Sequence, residues 1–485
     1  MNTENQKLGL IALVAIVVST MIGSGVDSLP QNMAEDSAVA PVVLAWIISG
    51  FGMFFIAQTF FKLSELKPDL QSGIYMYARE GFGELPAFFV AWGYWLMTIF
   101  SNVAFSVMVM DTLDYFMPGK FSGGNNINSI IGSSILVWGF HILVDSGTRV
   151  AGKLNLLGTI AKIIPLILFV GILMYFLDVS QLTTNIWGQS NTPGNPKLGS
   201  VLSQVLSPLY VALWCFIGIE GAVALSGRAR NKADVGRATM IGFVVSLLIC
   251  IAISVLPFGI LSQHALSLIP NPSTAGVIKT ITGEWGEVVI NLGVLISILS
   301  SWLAWTMICA EIPMVAAQNG TFPKWFAKNN QKGAASSALL ASSVLMQLVV
   351  VLVYFAHDAW LTLLGISAIM VLPAYFFSAA YLAKLSFLNK DGHQNKKRIR
   401  DALIIAFIGM FFCLFMLYAS AFAYVLMTPL LLTLGLPLYL IRKLQDDKHK
   451  SIFTRHELLG IALLLVIDLI IVICYFKGMI QFQPS

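Results

Sequence analysis

Apolar residues run along this chain in long blocks, without the strict alternation or single-face spacing of water-facing strands and helices. Thirteen blocks are long enough to cross about 30 Å of hydrocarbon, at 8–32, 39–61, 86–116, 129–146, 152–177, 203–227, 236–261, 286–315, 336–356, 359–384, 401–419, 422–441 and 457–476. In lipid, runs of this length satisfy their backbone hydrogen bonds only as helices. Alternating segments of about ten residues, the mark of a membrane β-barrel, do not occur. The pattern predicts an all-α polytopic membrane protein, a single integral membrane domain over residues 1–485.

Two blocks are interrupted at membrane depth. In the first, Gly23, Ser24 and Gly25 lie between Ile22 and Val26; in the sixth, Gly218 and Gly221 bracket Glu220 after Ile217. Glycine costs about 1 kcal/mol relative to alanine inside a helix and gives lipid nothing to pack against. Each interruption falls in the first span of a five-span set, 8–177 and 203–384, leaving 401–476 as three peripheral helices. An odd number of spans per set turns the second set upside down, which predicts a five-plus-five inverted repeat with broken helices meeting near the midplane. Half-helix N-termini there offer N–H groups to a carboxylate and half-helix C-termini offer carbonyls to an ammonium, the two charges an α-amino acid carries together. The competing explanation, glycines that only ease helix packing, accounts for neither the matched positions nor the acid.

Composition agrees with lipid as the solvent: of 485 residues 57% are hydrophobic and 11% charged, where a soluble chain carries about 25% charged. With the N-terminus in the cytoplasm, 24 lysines and arginines fall in inner segments and four in outer ones, a strong positive-inside bias that places the C-terminus outside after thirteen spans. These cations sit in short connecting loops, so the net charge of +5 does not point to nucleic acid. The first span is read as a signal anchor, because it is long and lacks a small-x-small cleavage site. Cys215, Cys250, Cys309, Cys413 and Cys474 all lie within apolar runs, so no disulfide or zinc framework is expected, and nothing in the chain calls for a metal or cofactor.

An ionisable side chain at the bilayer centre costs about 2.5–3.5 kcal/mol or more, so each one invites a role. Glu220, beside the second break, is a candidate for proton coupling. Lys162 stands mid-span among Ile160, Ala161, Ile163 and Ile164, too far from either end to snorkel. Asp27 faces an outer vestibule, Lys162 or another internal partner. Glu311, Asp111, Asp114, Asp468 and His141 are read as solvated or structural.

Taken together, Gly23-Ser24-Gly25-Val26 with Leu29-Pro30, Gly73-Ile74-Tyr75-Met76-Tyr77 with Gly81-Phe82-Gly83, Phe216-Ile217-Gly218-Ile219-Glu220 and the basic turn 228–237 resemble the amino acid–polyamine–organocation superfamily, within it the basic amino acid/polyamine antiporters. The stretch Leu29-Pro30-Gln31-Asn32 and the thirteenth span are most similar to bacterial arginine/ornithine antiporters, whose core the arginine/agmatine antiporters share. The resemblance implies substrate bound halfway across by alternating access. It implies that Ser24 and Gly25 hold the carboxylate, that the carbonyls of Ile22, Trp214 and Ile217 receive the α-ammonium, and that Met97, Thr98, Asn102 and Trp305 grip the distal cation. A guanidinium keeps its charge at any cellular pH and stacks on an indole, so an aromatic box can select it. Trp214 and Tyr94 are expected to cover the site; Trp302, one turn from Trp305, is the competing register. In some superfamily members a lysine at the position of Lys162 takes the place of sodium, which implies that it bonds the broken first helix. Asp27 stands where the family carries an aromatic.

The reading is an exchanger of a cationic amino acid, arginine, for a related metabolite, ornithine or agmatine, in a bacterial inner membrane, with small-molecule substrates, the lipid bilayer and a second copy of the chain as partners. A proton-driven one-way importer and an antiporter of another pair are the alternatives within transport; a channel is a third class. An enzyme is disfavoured by six scattered histidines and the lack of any hydrolase or phosphate-binding motif.

Overall fold

The computed structural model describes residues 9–67, 70, 74–192, 194–224, 230–231, 233–356, 358–388, 396–420, 422–445 and 452–480; the side chains of 24, 148–157, 159–160, 222 and 224 fall outside that description. Among the described residues the regular structure is helical, apart from an isolated bridge between Thr192 and Asn195. In chain order the first half holds α1 (Leu10–Met21), α2 (Leu29–Ala34), α3 (Val39–Leu66), α4 (Ile74–Phe82), α5 (Glu84–Phe116), α6 (Ile127–Asp145), α7 (Thr148–Tyr175) and α8 (Val179–Thr183). There follow α9 (Val201–Leu206), α10 (Leu209–Cys215), α11 (Gly221–Ala224), α12 (Ala233–Val255), α13 (Gln263–Ser267), α14 (Ser273–Thr282) and α15 (Glu284–Gln318). The remainder comprises α16 (Ser336–Val353), α17 (Ala359–Met370), α18 (Leu372–Leu388), α19 (Lys396–Ala419), α20 (Phe422–Thr433), α21 (Leu436–Leu444) and α22 (Arg455–Phe476).

Ten described helical stretches are long and apolar enough to cross a membrane, and three apolar helices are shorter, at Leu10–Met21, Ala161–Tyr175 and Val201–Cys215. These coincide with the thirteen runs. Two of the short helices are those that stop at the glycine interruptions, which is why they fall below spanning length. The protein is a multi-pass membrane protein.

Small residues set how closely the helices approach. A Cβ at Gly158 would overlap Ser300 and one at Gly293 would overlap Pro165, so α7 lies tightly along α15. Lys162 lies between these two contacts and is driven into the interior, 1% exposed. Helices α5 and α15, of 33 and 35 residues, are each roughly 50 Å long and form the central walls.

One end of the bundle is tied by basic side chains. Arg79 on α4 donates to the Asn319 carbonyl just past α15, and Arg442 on α21 donates to the next carbonyl, Gly320. Cations suit a helix C-terminus, where carbonyls lack amide partners. Lys443 pairs at 2.8 Å with both Glu84 and Glu457. The last helices are therefore not uniformly peripheral. Arg442 and Lys443 join α21 to the ends of α5, α15 and α22, and Phe412 of α19 fills the place of a Cβ at Gly52 of α3. Helix α22, by contrast, exposes Leu459, Leu463, Val466 and Ile470 along its length.

Candidate functional site

Helix α1 stops at Met21, and residues 22–28 run as a bend and a 3-10 turn before α2 starts at Leu29-Pro30. Pro30 fits a first helical turn, where no amide partner is required. Helix α10 stops at Cys215, and residues 216–220 turn through Gly218, whose φ of +104° suits only glycine. A Cβ there would also lie 2.7 Å from the Thr20 backbone. The two interruptions touch: the Thr20 hydroxyl donates to the Gly218 carbonyl at 2.8 Å, across 198 residues of sequence.

Between them lies a cleft lined by Thr20, Met21, Gly23, Ser101, Phe105, Trp214, Ile217 and Trp305. In this conformation only about 20 Å³ is open to a water-sized sphere, room for about one water. Trp214 covers the first break: a Cβ at Gly25 would fall on its six-membered ring, so glycine alone lets the indole lie there. Its ring meets Phe105 at 6.2 Å and Trp360 at 5.5 Å, and its Nε1 is buried without a hydrogen-bond partner. An amino acid enters such a space only if these rings move.

Three ionisable side chains flank the breaks. Lys162 Nζ donates to the Ser19 and Ile22 carbonyls at 2.5 and 2.8 Å and lies 3.3 Å from Ser301 Oγ. Both carbonyls lie where α1 stops, and the ammonium donates to each of them. Glu220 is 1% exposed; Tyr94 donates to one carboxyl oxygen, Tyr375 to the other at 3.0 Å, and the Gly218 N–H lies 3.3 Å from the latter. Asp27, 4% exposed, faces no open vestibule; it meets the start of α14, where Thr274 Oγ1 lies 3.4 Å from its carboxylate, and it lies within electrostatic reach of Lys162.

Of the sequence-derived candidates, the structure brings Ile22, Gly25, Trp214, Ile217 and Trp305 together around the breaks. The side chain of Ser24 lies outside the described residues, as do Gly73 and Arg228 of the motifs. Met97, Thr98 and Asn102 are fully buried behind the wall and do not line the cleft. The Thr98 hydroxyl donates to Trp95 O, and the Asn102 amide is held between Thr98 O and the Thr306 hydroxyl. Ser101 and Phe105, one turn on from Met97 and Ser101 respectively, face the cleft instead. Trp305 lines it, while Trp302 packs edge-on against Phe140 at 5.1 Å. Tyr94 reaches Glu220 and does not lie over the cleft. Sequence reasoning missed Ser101 and Phe105, which the helical period could have offered as neighbours. It also missed Tyr375 and Thr274, for which no local signal exists.

Comparison with known proteins agrees with this geometry. A family model described as amino acid permease matches residues 8–434. A protein of Chlamydia pneumoniae named arginine/agmatine antiporter is 47% identical over 478 residues, 99% of each chain. Namesakes from Chlamydia abortus, over 97% of each chain, and Chlamydia trachomatis serovar L2, over 96% of each, are both 46% identical. These matches extend through α21 and α22, beyond the family model. A membrane bundle with two facing helix breaks, matched by that family over most of its length, is a member of the amino acid permease family.

Proposed function

We infer that this chain exchanges arginine for agmatine by alternating access, with the basic end of the bundle in the cytoplasm of a bacterial inner membrane and the C-terminus outside. The observation that carries the reading is the direct contact of two broken helices, Thr20 to Gly218, beside a cleft walled by Trp214, Trp305 and Phe105. In this reading residues 8–177 and 203–384 are the two repeats and 401–476 an added set. Ser24 and the Gly25 N–H receive the carboxylate, and the carbonyls of Ile22, Trp214 and Ile217 receive the α-ammonium. Because Ile22 O already takes a hydrogen bond from Lys162, substrate would use its second lone pair.

The guanidinium end lies against Trp305, with Ser101 as a polar contact, while Asn102 behind the wall ties α5 to Thr306 of α15. Agmatine lacks the carboxylate but keeps the guanidinium and the ammonium, so the aromatic wall and the carbonyls serve both substrates while Ser24 and the Gly25 N–H serve only arginine. Glu220, held by Tyr94 and Tyr375, closes the path toward the basic end and is the proton-sensitive element. Lys162 keeps the break open without sodium. Exchange follows physically, because an empty site leaves N–H groups, carbonyls and indole faces without a ligand, and the unloaded carrier closes reluctantly.

The relatives' names favour agmatine over ornithine as the returning substrate. Counterflow decides: proteoliposomes loaded with agmatine, ornithine or nothing are offered radiolabelled arginine. Agmatine-driven uptake that shifts the membrane potential is expected, since agmatine carries one more positive charge than arginine. Equal uptake into empty vesicles would instead mark a one-way importer, and ornithine-only exchange would reassign the pair.

A further inference from the structure

We propose that Asp27 is a positioning residue of the transport cycle, fastening the outer half of the broken first helix to helix α14 so that the site closes on that side only when the two move together. This rests on the transport reading above, and its observations lie outside the cleft. Helix α14 begins after Pro272, which gives no side-chain cap, so its first amides need partners from elsewhere. Asp27 supplies one, for Thr274, across 247 residues of sequence. Its carbonyl accepts the Thr274 N–H at 3.1 Å and the Ser273 hydroxyl at 3.3 Å, and its carboxylate accepts the Thr274 hydroxyl at 3.4 Å.

The attachment continues along α2. The Gln31 N–H donates to Ser273 Oγ at 3.1 Å, the Gln31 amide lies 3.4 Å from Ser267 O, and Gln263 donates to Ala34 O at 2.5 Å. Asp27 stands two residues beyond Gly25, the glycine on which Trp214 rests. Withdrawing α2 from α14 therefore lifts the segment beneath the indole. These contacts belong to a conformation in which the cleft has room for about one water, the closed arrangement. Asp27 is buried away from incoming cations, and Lys162, though within electrostatic reach, makes its hydrogen bonds to Ser19, Ile22 and Ser301, so the direct partners of Asp27 are those on α14.

The test compares Asp27→Ala, Thr274→Val, their double variant, Asp27→Asn and Thr274→Ser in oriented proteoliposomes, with rates normalised to folded protein. Losing one such bond shifts the open–closed balance by about five- to tenfold. Asp27→Ala and Thr274→Val each lower turnover by that factor and lower KM for arginine from the Asp27 side. The double variant is no worse than either single one, and Thr274→Ser and Asp27→Asn, which keep donor and acceptor, recover most of the loss. A second readout needs no substrate: in a Cys474→Ser background, Gln31→Cys reacts with an impermeant maleimide five to ten times faster when Asp27→Ala is added. If the unaltered protein fails to exchange arginine, the transport reading falls while the maleimide rates still decide the role of Asp27. Higher KM in both Asp27→Ala and Asp27→Asn would show an electrostatic attractor and overturn the proposal. So would additive losses in the double variant, or unchanged maleimide rates.

Discussion

The same substitution, glycine to alanine, should act oppositely at two membrane positions, and the contrast tests whether the second break is required. At Gly218 the backbone φ is +104°, and a Cβ would lie 2.7 Å from the Thr20 carbonyl carbon and 2.8 Å from its oxygen. A non-glycine residue held at positive φ costs about 1–3 kcal/mol. Relieving a contact that close against backbone costs about 1–3 kcal/mol more, since the neighbour is not a flexible side-chain tip. Moving the turn also strains the Thr20–Gly218 hydrogen bond, worth about 1 kcal/mol. Gly218→Ala should therefore destabilise the broken arrangement by about 2–7 kcal/mol, enough to abolish most of its population. At Gly171, inside α7, a Cβ would meet nothing within 4 Å, so Gly171→Ala should stabilise by about 0.5–1 kcal/mol. Thermal unfolding of the purified proteins, with counterflow on the surviving fraction, reads both effects. If Gly218→Ala matches Gly171→Ala in melting temperature and exchange, the turn through Gly218 is not required and the account of the second break fails.

Replacing Lys162 by Met removes the donor that holds the Ser19 and Ile22 carbonyls; exchange should fall at least tenfold, while exchange by the unaltered protein stays constant when choline replaces sodium. A sodium requirement in the unaltered protein would contradict the role given to this ammonium. Tyr375→Phe removes one of the donors on Glu220 and should shift the open–closed balance by about five- to tenfold; in the Glu220→Gln background the same change should have less effect, and equal effects in both would separate the pair. Trp305→Leu should raise KM for arginine by about 2- to 30-fold through loss of a cation–π contact of ~0.5–2 kcal/mol, with Trp305→Phe intermediate and Trp302→Leu affecting stability more than KM. Uptake measured over a range of arginine concentrations gives the ranking.

Period and composition are local properties, so the chain alone determined that thirteen apolar stretches would be helices and that two of them would stop at Gly23–Gly25 and Gly218–Gly221. Lipid offers no partner for an unpaired amide, and glycine at membrane depth is poor helix material wherever the chain folds. Which face of each helix looks inward was decided only by packing. On α5 the cleft is met by Ser101 and Phe105 and not by Met97, Thr98 and Asn102, and nothing along that helix, apolar on nearly every side, marks the difference. Asp27 was legible as an unusual buried acid, yet its partner lies 247 residues away, and Tyr375 meets Glu220 across 155. Such pairings depend on how closely the helices approach, as where Gly158 and Gly293 let α7 settle against α15 and carry Lys162 to the first break. The sequence thus determined where the backbone would open, and tertiary packing decided which side chains meet it there.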